Sequence, residues 1–139
     1  MKYKTSIKIL LALLSAVILF HISVIVKLVP YEIAWGGRLK NDSEMYVFES
    51  ISIIIILFLG LVLLMKGNYV KFRFSVKAIN IILWIYLGLF LLNTIGNIFA
   101  KTNFEKTFAV LTFLFAILIW TILKNKYVHQ PNGNASQIK

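Results

Sequence analysis

Long apolar runs alternate with short polar stretches along this chain. Four runs, at about 9–29, 45–65, 78–100 and 107–123, approach or exceed the roughly 20 apolar residues that a helix needs to cross the hydrocarbon core of a bilayer. Each run is continuously apolar, without the strict alternation that membrane strands require. Helices also satisfy their own backbone polar groups, as lipid demands. The pattern predicts an all-α integral membrane protein: a bundle of four transmembrane helices, forming one domain over residues 1–126. Residues 127–139 are polar and include Pro131-Asn132-Gly133-Asn134, the composition of a disordered tail.

The polar stretches punctuate the helices. Pro30 is expected to end the first one, since proline lacks an amide hydrogen and disfavours helix at the residue before it. Trp35-Gly36-Gly37-Arg38 reads as a tight turn. Asn41-Asp42-Ser43-Glu44 reads as a helix start, with Asn41 as the cap and Glu44 three residues on. Tyr31, Trp35 and Tyr46 suit an interfacial aromatic belt. Residues 101–106 form a short link between antiparallel helices. The first run follows Lys2, Lys4 and Lys8, as a signal peptide would. It is too long for one, and Ile25-Val26-Lys27-Leu28-Val29-Pro30 offers no small-residue cleavage site, so it is read as a retained span.

Composition narrows the class. Of 139 residues, 60% are hydrophobic and 14% charged, against about 25% charged in a soluble domain; the mean hydropathy is +0.85. So small a soluble body could not hide that much apolar surface, which excludes a cytosolic globular enzyme and a disordered chain. The chain has no cysteine, so thiol nucleophiles, thiolate metal sites and disulfides are excluded too. Its two histidines, His21 and His129, come with no HExxH helix, and neither a metal site nor a cofactor is expected.

Charge sets an orientation. Lys2, Lys4 and Lys8, then Lys66, Lys71, Arg73 and Lys77, then Lys124, Lys126 and Lys139 fall on one side of a four-span topology with no carboxylate among them. On the other side Lys27, Arg38, Lys40, Lys101 and Lys106 are cancelled by Glu32, Asp42, Glu44, Glu49 and Glu105, so the whole net charge of +10 lies on one face. The positive-inside rule makes that face, and both termini, cytoplasmic. A pI near 10.0 does not imply nucleic acid, because the cations are scattered beside helix ends rather than set in a groove. Lys71-Phe72-Arg73-Phe74, with Lys66 and Lys77 nearby, is read as resting on anionic headgroups. Lysine far outnumbers arginine, and isoleucine and asparagine are abundant, which fits a small bacterial inner-membrane protein.

Polar groups inside a span are costly and therefore functional candidates. His21 lies eight residues before Val29, about 12 Å below the end of its run at 1.5 Å rise per residue. Glu49 follows Asn41 by eight residues and reaches a comparable depth, with Ser50 and Ser52 beside it. Asn93 and Asn97 are one turn apart, with Tyr86 on the same stripe and Gly96 adjacent. On the fourth run Glu105, Ala109, Thr112 and Ala116 share a face, and the Thr112–Ala116 spacing lets helix backbones approach. Nearly all of these groups fall in the outer half; Asn80 and Thr121 are the exceptions.

If the stripes face one another, His21, Glu49, Ser52, Asn93 and Asn97 converge as a ligand-binding group beneath the 30–43 loop, and Glu32, Trp35 and Arg38 form its lid. Each residue also has a plainer role: a helix-to-helix hydrogen bond for His21, an interfacial position for Glu49, interhelical glue for the asparagines. Three functions stay open. The first is binding or transport of a small molecule or lipid. The second is a non-catalytic accessory subunit, facing a partner membrane subunit or a second copy of the chain. The third is a membrane-embedded enzyme acting on a lipid, with His21 and Glu49 as acid–base candidates and Asn93 or Asn97 orienting the substrate. The lack of any catalytic motif, a GxSxG turn included, tilts the reading away from an enzyme.

Overall fold

The computed structural model describes residues 3–33, 35, 39–72, 74–100 and 102–125; the expected tail at 127–139 and Gly36, Gly37 and Arg38 of the expected turn lie outside the described residues. Those described residues form four α-helices and no strand: α1 (Tyr3–Ile25), α2 (Asp42–Lys66), α3 (Val76–Ile98) and α4 (Asn103–Lys124), with a short 3-10 turn at Tyr31–Ile33. All four are long and apolar enough to span a membrane. At 1.5 Å per residue they measure about 33–38 Å, against a hydrocarbon core of about 30 Å.

Capping side chains set where the helices begin. The Asn41 side chain accepts the Glu44 N–H at 2.9 Å, as the sequence predicts, and the Glu44 carboxylate reaches back to the Lys40 N–H at 2.8 Å. Ser75 caps α3 by accepting the Ala78 N–H at 3.2 Å. Thr102 caps α4: its hydroxyl accepts the Glu105 N–H at 3.2 Å and donates to Glu105 Oε2 at 2.8 Å.

The end of α1 departs from the sequence reading. The helix stops at Ile25 rather than running to Pro30, because Lys27 turns left-handed with φ 60°. The Leu28 N–H then returns to the Ser23 carbonyl and the Lys27 N–H to the Val24 carbonyl, both at 2.9 Å, the paired bonds of a Schellman cap. α2 closes in the same way through Asn68, φ 61°, with the Tyr69 N–H on the Leu64 carbonyl at 2.9 Å. Asparagine accepts this conformation readily, whereas lysine does so against its Cβ. The Lys27 ammonium donates to the Asp42 carboxylate at 2.5 Å in an exposed pair. That hydrogen bond, joined by the attraction of the two charges, raises the Lys27 pKa above its ordinary 10.5.

Both α1 and α3 pack against α2 and α4, and α3 with α4 is the most extensive pairing. In that pair small residues let the backbones come close: Ala109 and Ala116 are buried, and the hydroxyls of Thr94 and Thr112 meet at 2.9 Å. Phe90 and Phe115 stack edge to face at 4.9 Å beside them. The main apolar core, including Leu10, Leu14, Leu63, Leu83 and Ile119, fills the end of the molecule where α1 begins and α4 finishes. Lys66 lies at this end. The sequence places it in a headgroup-facing loop, but it is the last residue of α2 and only 6% exposed, its ammonium donating to Asn80 Oδ1 at 2.6 Å. The Tyr3 hydroxyl donates to the Lys66 carbonyl at 2.6 Å. At the opposite end a smaller cluster of Val24, Leu39 and Met45 packs with Tyr31 and Trp35 and seats the α1–α2 loop on the helices.

Candidate functional site

Glu49 lies in the first half of α2 and is 0% exposed, although it is a carboxylate. Two neighbours satisfy it. His21, on α1, brings Nδ1 to Glu49 Oε2, and Trp35, from the loop, donates its indole N–H to Oε1 at 2.7 Å. A buried carboxylate held this way leaves neither oxygen without a partner, which is the condition for burial at tolerable cost. The His21 side chain is 14% exposed, and its second ring nitrogen, Nε2, has no hydrogen-bond partner among the described residues. Phe20 packs edge-on against the imidazole, with ring centres 5.9 Å apart, so the ring is oriented from two sides.

Beside this triad is a cavity of about 480 Å³, within the range of roughly 300–1,000 Å³ usual for small-molecule sites. All four helices line it. His21 and Trp35 stand in its wall, while Glu49 lies behind them and positions both. Ser52 comes from α2, Asn93 and Asn97 from α3, and Glu105 and Thr112 from α4. Much of the remaining wall is aromatic, including Phe20, Phe48, Phe90 and Phe108. Toward the core the cavity is bounded by Tyr86, whose hydroxyl donates to the Ile55 carbonyl at 2.7 Å and ties α3 to α2.

Of the five residues expected to bind a ligand, His21, Ser52, Asn93 and Asn97 line one cavity, and Glu49 touches it through His21 and Trp35. No hydrogen bond joins the side chains of Ser52, Asn93 and Asn97 to another described residue; all three line the cavity, Asn93 exposed and the other two half-buried. The expected lid divides. Trp35 turns inward onto Glu49; Glu32 is exposed and does not line the cavity; Arg38 lies outside the described residues. His21, Glu49 and Glu105 are the groups here with metal-binding chemistry, and no three such residues among the described ones are placed to hold one ion.

Glu105 was not singled out from sequence. It is only 8% exposed, lines the cavity, and carries one oxygen, Oε1, with no partner among the described residues. A signal was present: Thr102 followed three residues on by Glu105 is a capping box, and the Glu105–Ala109–Thr112–Ala116 stripe puts that carboxylate on the face packed inward. The sequence reading takes that stripe as a packing face and leaves Glu105 out of the expected ligand-binding group.

The site can hold an amphiphilic molecule by its polar end. His21 Nε2, Ser52, Asn93, Asn97 and Glu105 offer unmatched donors and acceptors at one end, and aromatic and aliphatic side chains cover the rest. Compared with known proteins, the chain matches no family model, no curated protein and no solved structure.

Proposed function

We propose that this is a multi-pass membrane protein whose four helices form a bundle around a binding cavity for a small molecule or lipid. Both termini are cytoplasmic and the cavity lies in the outer half of the bilayer. The orientation rests on the charge asymmetry of the chain, and the membrane is read as the bacterial inner membrane. One observation carries the binding reading: a fully buried carboxylate, Glu49, joins two residues of a cavity wall, His21 and Trp35, beside polar side chains that no described residue satisfies. Polar residues that served only to fix helix register would be matched across the helices, whereas Ser52, Asn93 and Asn97 have no partner among the described residues.

Native mass spectrometry of gently extracted protein tests this, with Glu49→Gln and His21→Ala alongside. A reproducible small molecule or lipid on the wild type, absent from both variants, is the expected result. Bare wild type, with variants merely less stable or missing a partner subunit, moves the reading to an accessory role. Orientation is tested separately in a chain that has no cysteine of its own: Asn41→Cys is expected to react with an impermeant thiol reagent added outside intact cells, and Lys71→Cys to be protected.

The His21–Glu49 pair favours one second reading, an acid–base enzyme acting on a lipid, since a carboxylate on Nδ1 leaves Nε2 free to move a proton at a bound substrate. The two readings part on the recovered ligand: a binding protein returns it unchanged after incubation, and an enzyme does not.

A further inference from the structure

The charges around the cavity are not balanced, and the imbalance bears on what it holds. No lysine or arginine is among the described residues that line it. His21 is matched by Glu49, and the other ion pair between described residues, Lys27 with Asp42, does not line the cavity. Glu105 therefore faces the space with no counter-ion among the described residues, though 8% exposed. Its one protein hydrogen bond through the carboxylate comes from Thr102, leaving Oε1 open. The N-terminal turn of α4, a natural seat for an anion, is already occupied by this carboxylate and the Thr102 hydroxyl.

The surroundings of Glu105 have the same character. Phe108 stands one turn along α4, and Phe20 of α1 meets it with ring centres 5.2 Å apart; both line the cavity. A carboxylate and aromatic rings lining one space form the combination that holds an ammonium group, by ion pairing and by attraction to the ring quadrupole. Of the donors in the wall, the Trp35 indole serves Glu49 and the Tyr86 hydroxyl serves the Ile55 carbonyl, and those left over on Ser52, Asn93 and Asn97 are neutral groups that suit a ligand of either charge. An acidic headgroup placed here would meet Glu105 with no compensating lysine or arginine among the described residues, and like charges in a low-dielectric space repel.

We infer that the cavity takes a cationic, amine-bearing amphiphile, its ammonium at Glu105 against Phe20 and Phe108 and its apolar body along the aromatic wall. This rests on the cavity being a binding site, and the test separates the two claims. Wild-type protein in phosphatidylcholine nanodiscs is exposed to three photoactivatable probes of one chain length, a fatty amine, a fatty alcohol and a fatty acid, each with its diazirine near the head. Labelled peptides are then mapped by mass spectrometry. The chain's net charge of +10 favours the acid in any non-specific encounter, so the background opposes the expected result.

Labelling of α1 and α4 cavity residues by the amine at least tenfold above the acid, with the alcohol between them, is the expected outcome. Glu105→Gln removes the charge and keeps a cap-competent side chain, and is expected to level the three probes. Phe108→Leu is expected to lower amine labelling more than alcohol labelling. Acid equal to or above amine, or an amine preference unchanged in Glu105→Gln, overturns the cationic assignment while leaving a binding cavity in place. Absence of cavity labelling by all three probes overturns both claims.

Discussion

A 2.7 Å hydrogen bond from the Trp35 indole to Glu49 joins the loop after α1 to the buried first half of α2. Because His21 occupies the other oxygen of the same carboxylate, loop, α1 and α2 are locked through one side chain. Trp35→Phe keeps an aromatic ring and removes the donor, and is expected to lower stability by about 1.5–3 kcal/mol, the range for a hydrogen bond to a charged group. Glu49→Ala, which leaves two half-buried groups, His21 and Trp35, without their shared acceptor, is expected to lose about 3–5 kcal/mol, roughly two such bonds together. Thermal unfolding in one detergent measures both; a Glu49→Ala loss no larger than that of Trp35→Phe would refute the shared-acceptor account.

At the opposite end, Lys66 and Asn80 form a polar pair enclosed by apolar side chains. Replacing both with Met and Leu is expected to be nearly neutral, because the pair gains little over a packed apolar contact. Asn80→Leu alone is expected to destabilise more than Lys66→Met alone, since it leaves the ammonium enclosed without an acceptor. A double-mutant cycle reads the coupling directly.

Thr94 and Thr112 link α3 to α4, yet each hydroxyl also lies within reach of a carbonyl of its own helix, Phe90 at 2.7 Å and Phe108 at 2.8 Å, so whichever one donates across the seam has a carbonyl of its own helix to turn to. Losing the cross-helix contact therefore leaves no hydroxyl stranded. The coupling between Thr94→Ala and Thr112→Ala is expected near 0.6 kcal/mol, the usual size for such bonds in membranes. A coupling above about 2 kcal/mol would mean that the contact organises the seam, rather than the small residues around it.

The Lys27–Asp42 pair gives a pH dependence of known sign. The folded-state pKa of Lys27 lies above its ordinary 10.5, raised first by the Asp42 hydrogen bond. Its stabilising effect is fully present below the unfolded value and fades as pH rises through the higher folded one. The stability gap between wild type and Asp42→Asn is accordingly expected to hold steady from pH 8 to about 10 and to narrow above 10.5. A gap that is unchanged at pH 12 excludes the pair as its source.

The apolar runs and the Asn41–Glu44 cap could be read before any coordinates, because length, hydropathy and capping spacing are local properties of sequence. Matching depths along α1 and α2 also marked His21 and Glu49. The end of α1 could not be read, since nothing in the local sequence marks a lysine as the residue that will turn left-handed. Lys66 misled because a lysine at the end of an apolar run normally reaches for headgroups, and here Asn80, on the next helix, keeps it enclosed. Trp35 suited the interface equally well until its N–H had a buried acceptor. Glu105 needed knowledge of which face of α4 turns inward, a property of packing among four helices and not of the residue itself.

The cavity wall needs α4: Glu105, Phe108 and Thr112 complete what the earlier helices leave open. In chain order that helix, Asn103–Lys124, is the last of the four to emerge from a ribosome. A nascent polypeptide halted before it has three apolar helices to insert and an open trough in place of an enclosure. The cavity therefore depends on the last helix and is complete only where α4 packs along Thr94 of α3.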